Sequence, residues 1–217
     1  AGVRDAANLC WKLAAVIRGE LPETVLDSYE TERKPHVREV TRRAVLVGRI
    51  ITERRRRICQ IRDTLVRPLS RLSPVRRLLV KLSWLPAARY PRGFLGSGTP
   101  AVGHKVPQPW VLDSDGARSR LDDVLDGKWT VLSTCAAVPD PAWTAAARLT
   151  VLPSGAQPEN GCVVDIDNAL LAWMRTHRAH TLALRPDGFV YAAADATTAL
   201  SPPPAGLRPL DADRLLS

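Results

Sequence analysis

Apolar residues recur along the first two fifths of the chain at helical spacing. Leu9, Leu13, Val16 and Ile17 repeat at three- and four-residue steps, which predicts a helix over residues 4–19 with that stripe inward, and Gly19 is a natural stop. Pro22 opens a second helical stretch with Val25, Leu26 and Tyr29 on one face, and Pro35 restarts or kinks it. A long amphipathic helix should follow. Val37, Val40, Ala44, Val47, Ile51, Ile58, Ile61 and Leu65 form a narrow apolar seam on a basic helix, broken only at Arg54, and that seam must pack on something. Between residues 68 and 100, five prolines and three glycines predict short helical pieces, an irregular linker and a domain boundary.

Beyond the linker the periodicity changes. WTVLST and GCVVDID read as short strands, and ALLAWMRTH reads as a helix. Two β-rich runs joined by Pro186-Asp187-Gly188 predict a hairpin, because proline presets one turn dihedral and glycine supplies positive φ. The tail SPPPAGLRPL is expected to be loose.

Charge supports two parts. Residues 1–100 carry 21 Lys and Arg against 9 Asp and Glu, whereas residues 101–217 carry 10 against 13. The net charge of +9 is therefore a property of the first part alone. No apolar run is long enough to span a bilayer, and the opening residues lack the features of a secretion signal. Position 1 is Ala rather than Met, which fits a chain starting inside a longer protein. Cys10, Cys59, Cys135 and Cys162 are scattered without a CxxC pair, which argues against zinc and disulfides, fits a reducing cytoplasm, and suggests small buried hydrophobes.

Arg54-Arg55-Arg56-Arg57 could be a nucleic-acid or membrane patch, but aromatics are few and no reading-helix motif accompanies it. A solvated helix face is the favoured reading, with neither nucleic acid nor membrane as partner. His177 and His180 lack a third ligand at useful spacing and are assigned surface or capping roles. Tyr29, Glu30 and Arg33 read as a packing and ion-pair cluster, and Trp11 as core. The six tryptophans do not line up as a stacking platform.

GVRDAANLCWKLA followed by LDSYETERKP resembles the end of the flavin domain in para-hydroxybenzoate hydroxylase-like monooxygenases. GHKVPQPWV, RLDDVLDG and LALRPDGFV resemble the C-terminal domain of the 3-(3-hydroxyphenyl)propionate hydroxylases. The resemblance covers nearly the whole chain in order. It implies an α+β chain: residues 1–92 as a helical segment completing a flavin-monooxygenase domain, residues 93–200 as a small thioredoxin-like α/β domain, and 201–217 as tail. It further implies FAD as cofactor, NADH or NADPH as reductant, and hydroxylation of a phenolic aromatic acid. Ala1 and Gly2 would be the cofactor-facing residues, at the positive end of a helix beside the flavin ring. Asp5 would be a helix-start residue, not a catalyst. No dinucleotide-binding GxGxxG is present, so the missing upstream FAD domain would be a partner, and this segment is expected neither to bind FAD tightly nor to catalyse alone. Cys135-Ala136-Ala137-Val138 stands where a thioredoxin would carry two thiols, so the second domain is expected to be structural, a homodimerisation or lid-supporting module. The alternative is a non-catalytic basic helical and thioredoxin-like interaction protein.

Overall fold

The computed structural model describes residues 2–71, 73, 88–135 and 141–207. The chain groups into two compact units, Ala1–Glu32 with Arg89–Ser217, and Arg33–Ala88. This grouping does not follow the change in charge near residue 100, because the opening helix packs with the later sheet.

Helix α1 spans Gly2–Ile17, and Gly19 in the left-handed conformation (φ 70°) ends its run. After Pro22 comes a short 3-10 turn, Glu23–Asp27, which leads into α2, Ser28–Thr52. Pro35 lies within α2 without ending it. The seam expected on one long helix is divided: α2 stops at Thr52, and α3, Arg56–Arg71, begins after a break at residues 53–55. The break contains Arg54, the one residue out of step in the apolar repeat. In this unit Val45, Leu46, Ile51, Ile58 and Ile61 remain exposed.

The other unit is built on a mixed seven-stranded sheet of β1 (Trp110–Leu112), β2 (Arg118–Arg120), β3 (Thr130–Ser133), β4 (Ala147–Leu152), β5 (Cys162–Asp165), β6 (Thr181–Leu184) and β7 (Val190–Ala194), in the order β2-β1-β5-β4-β3-β6-β7. Strand β3 runs parallel to β4 and β4 to β5, while β6 and β7 are antiparallel additions. The anticipated hairpin is present, with Leu184 opposite Val190 and Gly188 at φ 74°. Short helices α4 (Leu121–Leu125) and α5 (Ala169–Thr176) complete the unit. Strands β1, β2 and β4 lack a strong period-two signal; β2 reads Arg-Ser-Arg and is specified by pairing with β1 rather than by its own pattern.

Alternation along the strands makes two cores. Leu132, Val151, Val163, Leu182 and Leu184 meet Leu170 and Met174 of α5 in one layer. The opposite layer gathers Val131, Ala183 and Ala192 with Trp129, Trp143 and Tyr191, and takes in Trp11 from α1 and Phe94. Trp11 is thus half-buried against a core rather than enclosed in one.

The described part of the expected linker is ordered by the sheet. Gly96 donates to Tyr191 (2.9 Å), Thr99 to Ala193 (3.2 Å) and Gly103 to Val190 (2.9 Å) through backbone N–H groups. These bonds cover the outer edge of β7, which would otherwise present unpaired backbone groups. The start of the tail is held as well: Trp143 Nε1 donates to the Ser201 carbonyl at 3.1 Å, and Pro204 is buried.

Candidate functional site: a buried ionic centre behind helix α1

Only part of the stripe expected to bury α1 packs: Leu9 and Val16 are half-buried, Val16 against Ala15, Leu21 and Val25. Asn8, Lys12 and Ala15 are buried, whereas Leu13 and Ile17 are exposed, Ile17 at 84%. Residues 8, 12 and 15 also share one face of a helix, so the pattern was visible, but a lysine at its centre disguised it.

Lys12 is accommodated because every donor on its ammonium is used. Nζ reaches Ser28 Oγ at 2.8 Å, Glu32 Oε2 at 3.0 Å and Asn8 Oδ1 at 3.1 Å. Glu32, in the first part of α2, is fully buried and is the hub. Its Oε2 also accepts from Asn8 Nδ2 at 2.6 Å, and its Oε1 accepts from the Phe94 backbone N–H at 2.8 Å. From the far end of the chain, Arg185 closes a fork on it, with Nη1 to Oε1 at 2.8 Å and Nη2 to Oε2 at 3.0 Å.

Arg185 sits just before the hairpin turn. It gives Nε to Asp187 Oδ1 (3.0 Å), Nη2 to Asp187 Oδ2 (2.6 Å) and Nη1 to the Phe94 carbonyl (3.0 Å), so all five of its N–H donors are used. Its guanidinium carbon lies 5.2 Å from the ring centre of Trp11, 5.6 Å from Tyr90 and 5.8 Å from Phe189. Two cations and two carboxylates balance. Such a centre is tolerated in a dry interior only when fully paired, and full pairing fixes α1, the start of α2 and the hairpin against one another.

The electrostatics make it a fixed charge rather than a proton carrier. Burial pushes the Glu32 carboxyl up, but the hydrogen bonds and charge of Arg185, with Lys12 and Asn8, outweigh burial and bring it down to about 2. Burial lowers Lys12, opposed by Glu32. The Arg185 guanidinium is held protonated by Asp187 and Glu32 against its own burial. Gly93 makes room for the hub: at φ 142°, a Cβ on it would lie 2.2 Å from Glu32 Cγ.

The cofactor-facing residues named from sequence lie at the other end of α1. Ala1 is outside the described residues. Gly2 is the first helical residue and is exposed, and a Cβ there would meet nothing within 4 Å. Asp5 is in the first turn. The backbone N–H groups of that turn have no intrahelical acceptors, as at any helix start.

Other singled-out residues are not drawn into this centre. Arg54, Arg55, Arg56 and Arg57 are exposed. His177 caps the C-terminal end of α5 and stacks on Trp173, while His180 faces Thr134 Oγ1 at 3.2 Å; among the described residues no metal-binding cluster occurs. The cysteines are not buried as expected: Cys10 and Cys135 are exposed, and Cys59 and Cys162 are partly so. Cys10 lies on the outward side of α1, and Cys135 follows the end of β3. Tyr29 is half-buried and Arg33 is buried. Sequence reasoning missed Asn8, Lys12, Glu32, Arg185 and Asp187, although all five stand within motifs that carry the resemblance.

Comparison with known proteins defines the class. Residues 1–44 match the FAD binding domain family model, and residues 103–202 match the HcaD C-terminal domain model. In fold, the chain matches OxyS anhydrotetracycline hydroxylase from Streptomyces rimosus (TM-score 0.62, 26% identity, 88% of this chain and 36% of that one). It also shares the fold of CabE, an aromatic hydroxylase from angucycline biosynthesis (TM-score 0.56, 23% identity, 87% and 36%). The chain thus joins the end of an FAD binding domain to an HcaD C-terminal domain, and it resembles the C-terminal part of the para-hydroxybenzoate hydroxylase-like FAD-dependent monooxygenases. Within them it is similar to the 3-(3-hydroxyphenyl)propionate hydroxylases: the 3-(3-hydroxy-phenyl)propionate/3-hydroxycinnamic acid hydroxylase of Burkholderia cenocepacia (strain HI2424) is 34% identical over 218 residues, and that of Mycolicibacterium gilvum (strain PYR-GCK) is 30% identical over 213. These alignments take in 90% and 88% of this chain, which spans only 40% and 37% of the two relatives.

Proposed function

We propose that this chain serves as the C-terminal part of an FAD-dependent, NADH- or NADPH-driven monooxygenase that hydroxylates a phenolic aromatic acid, and that it is inactive alone. The observation carrying this is the 34% identity running through 90% of the chain to hydroxylases of which it covers 40%. FAD would supply the oxygen chemistry. The chain's own contribution is the start of α1 at Ala1 and Gly2, where free N–H groups and the helix dipole favour negative charge on the adjoining ring. The exposed Gly2, with open space around it, fits that role. Glu32 and Arg185 hold the axis of α1 so that this end has one direction. The second domain reads as thioredoxin-like and non-redox. Parallel β3 and β4 followed by antiparallel β6 and β7 support the first part, and the absence of a CxxC pair from the sequence supports the second.

The test compares two proteins, the 217-residue chain and the product of its reading frame extended upstream. The chain alone should retain no flavin absorbance after gel filtration. The extended protein should hold FAD and couple NADH or NADPH oxidation to hydroxylation of 3-(3-hydroxyphenyl)propionate. Tight FAD binding and turnover by the chain alone would overturn its dependence on a further domain. An extended protein that neither binds FAD nor oxidises NADH or NADPH would overturn the assignment.

A further inference from the structure

Residues 89–102, which lead into the sheet, line an open recess of about 540 Å³ within the sheet-bearing unit. Backbone bonds fix its walls in advance of any ligand. Tyr90 donates to Gly103 at 2.8 Å, Gly96 to Tyr191 at 2.9 Å and Thr99 to Ala193 at 3.2 Å. No residue of α1 lines the recess, so it is separate from the helix end assigned to the flavin.

Charge in the recess has one sign. Arg89 and Arg92 line it, and none of its lining residues is acidic. Among the described residues, neither arginine has an ion pair or a side-chain hydrogen bond, whereas Arg18, Arg43 and Arg185 each hold a carboxylate. Glu32 lies against Gly93, but it is buried and taken up by Lys12 and Arg185. The Arg89 charge is felt nearby: burial first, then Arg89 and His177, hold His104 below the ordinary histidine range.

Neutral donors stand beside the two guanidinia. Gly98 pairs with Ala193 of β7 in parallel fashion through its neighbours, Ser97 accepting and Thr99 donating, so the N–H of Gly98 itself points away from β7. The Thr99 hydroxyl accepts from the Ala101 N–H at 3.4 Å and keeps its own proton to give. Two guanidinium forks with these donors exceed what the two oxygens of a carboxylate can use. A phosphate monoester offers three terminal oxygens and nearly two negative charges, and its geometry suits the arginine fork.

We infer that this recess binds the phosphate group of a small soluble phosphate monoester, with Arg89 and Arg92 forking its oxygens and the Gly98 N–H and Thr99 hydroxyl completing its shell. The site does not rest on the monooxygenase reading, since every group in it belongs to this chain.

The test uses the full 217-residue chain and glycerol 3-phosphate as probe, with binding followed by titration calorimetry at low salt. Saturable one-to-one binding is expected, and D-glycerate, which replaces the phosphate by a carboxylate, should bind several-fold more weakly. Arg89→Gln and Arg92→Gln should each weaken binding by about two- to fivefold, the range of one exposed ion pair, and together by about tenfold. Arg56→Gln with Arg57→Gln removes equal charge from the arginine run and should leave the affinity unchanged. Amide spectra of the unaltered chain locate the site without substitution: shifts on titration should centre on Gly98 and Thr99. Vesicles of phosphatidylcholine containing phosphatidic acid present the same group on a lipid. Binding to them that requires Arg89 and Arg92, without binding of glycerol 3-phosphate, would overturn the soluble ligand. Absence of saturable binding, equal affinity for D-glycerate, or equal losses from the Arg56 and Arg57 substitutions would overturn the proposal. Failure here leaves the flavin assignment untouched, because that is read from FAD retention.

Discussion

Glu32 and Arg185, 153 residues apart in sequence, meet as a two-pronged pair with no side-chain surface open to water. Removing one partner strands the other charge in a dry interior. Glu32→Ala should destabilise the chain by about 3–5 kcal/mol, the range found when a buried pair is broken. A shift in the urea midpoint at constant slope would show it, and a loss below about 1 kcal/mol would mean the centre is wetter than its geometry implies.

The same carboxylate gives the protein an acid limb. Glu32 is held at about 2 against an ordinary 4.5, so its contribution is whole above about pH 4.5 and drains away as pH falls toward about 2. The stability gap between the unaltered chain and Glu32→Gln should therefore be widest near neutrality and narrow across that interval. Urea midpoints from pH 7 to 2.5 measure it; a constant gap would contradict the assignment.

Asp187 and Glu32 share the Arg185 guanidinium, so their contributions should not add. In a double-mutant cycle of Asp187→Asn and Glu32→Gln, the coupling should be about 0.5–3 kcal/mol. Additive losses would show that the two carboxylates act separately.

Gly93 is constrained both by its backbone and by space. At φ 142°, with Glu32 Cγ 2.2 Å from any added Cβ, Gly93→Ala should cost about 2 kcal/mol or more, through strain at that dihedral and displacement of Glu32. Restoring space with Glu32→Gly should not recover stability, because Arg185 would then be left unpaired.

The outward stripe of α1 should behave oppositely to what its hydrophobicity suggests. Leu13→Gln and Ile17→Lys ought to change the stability of this chain by no more than about 0.5 kcal/mol, as for surface substitutions. Losses of 2 kcal/mol from either would show that the apolar face is covered.

The sequence alone determined what depends on neighbours along the chain. The helix ending near Gly19, the turn at Pro186-Asp187-Gly188, the strand at WTVLST and the family motifs all rest on spacing and local dihedral preference, which operate over a few residues. Tertiary structure decided which face of α1 goes inward. Hydrophobicity selected Leu9, Leu13, Val16 and Ile17, but Asn8 and Lys12 are buried because Glu32 and the hairpin supply their partners. Likewise nothing local marks Arg185 as interior; it is buried because Asp187, two residues on, and Glu32, far upstream, use every donor it has. A charge is worth burying only where its partner stands, and the fold alone brings those partners together.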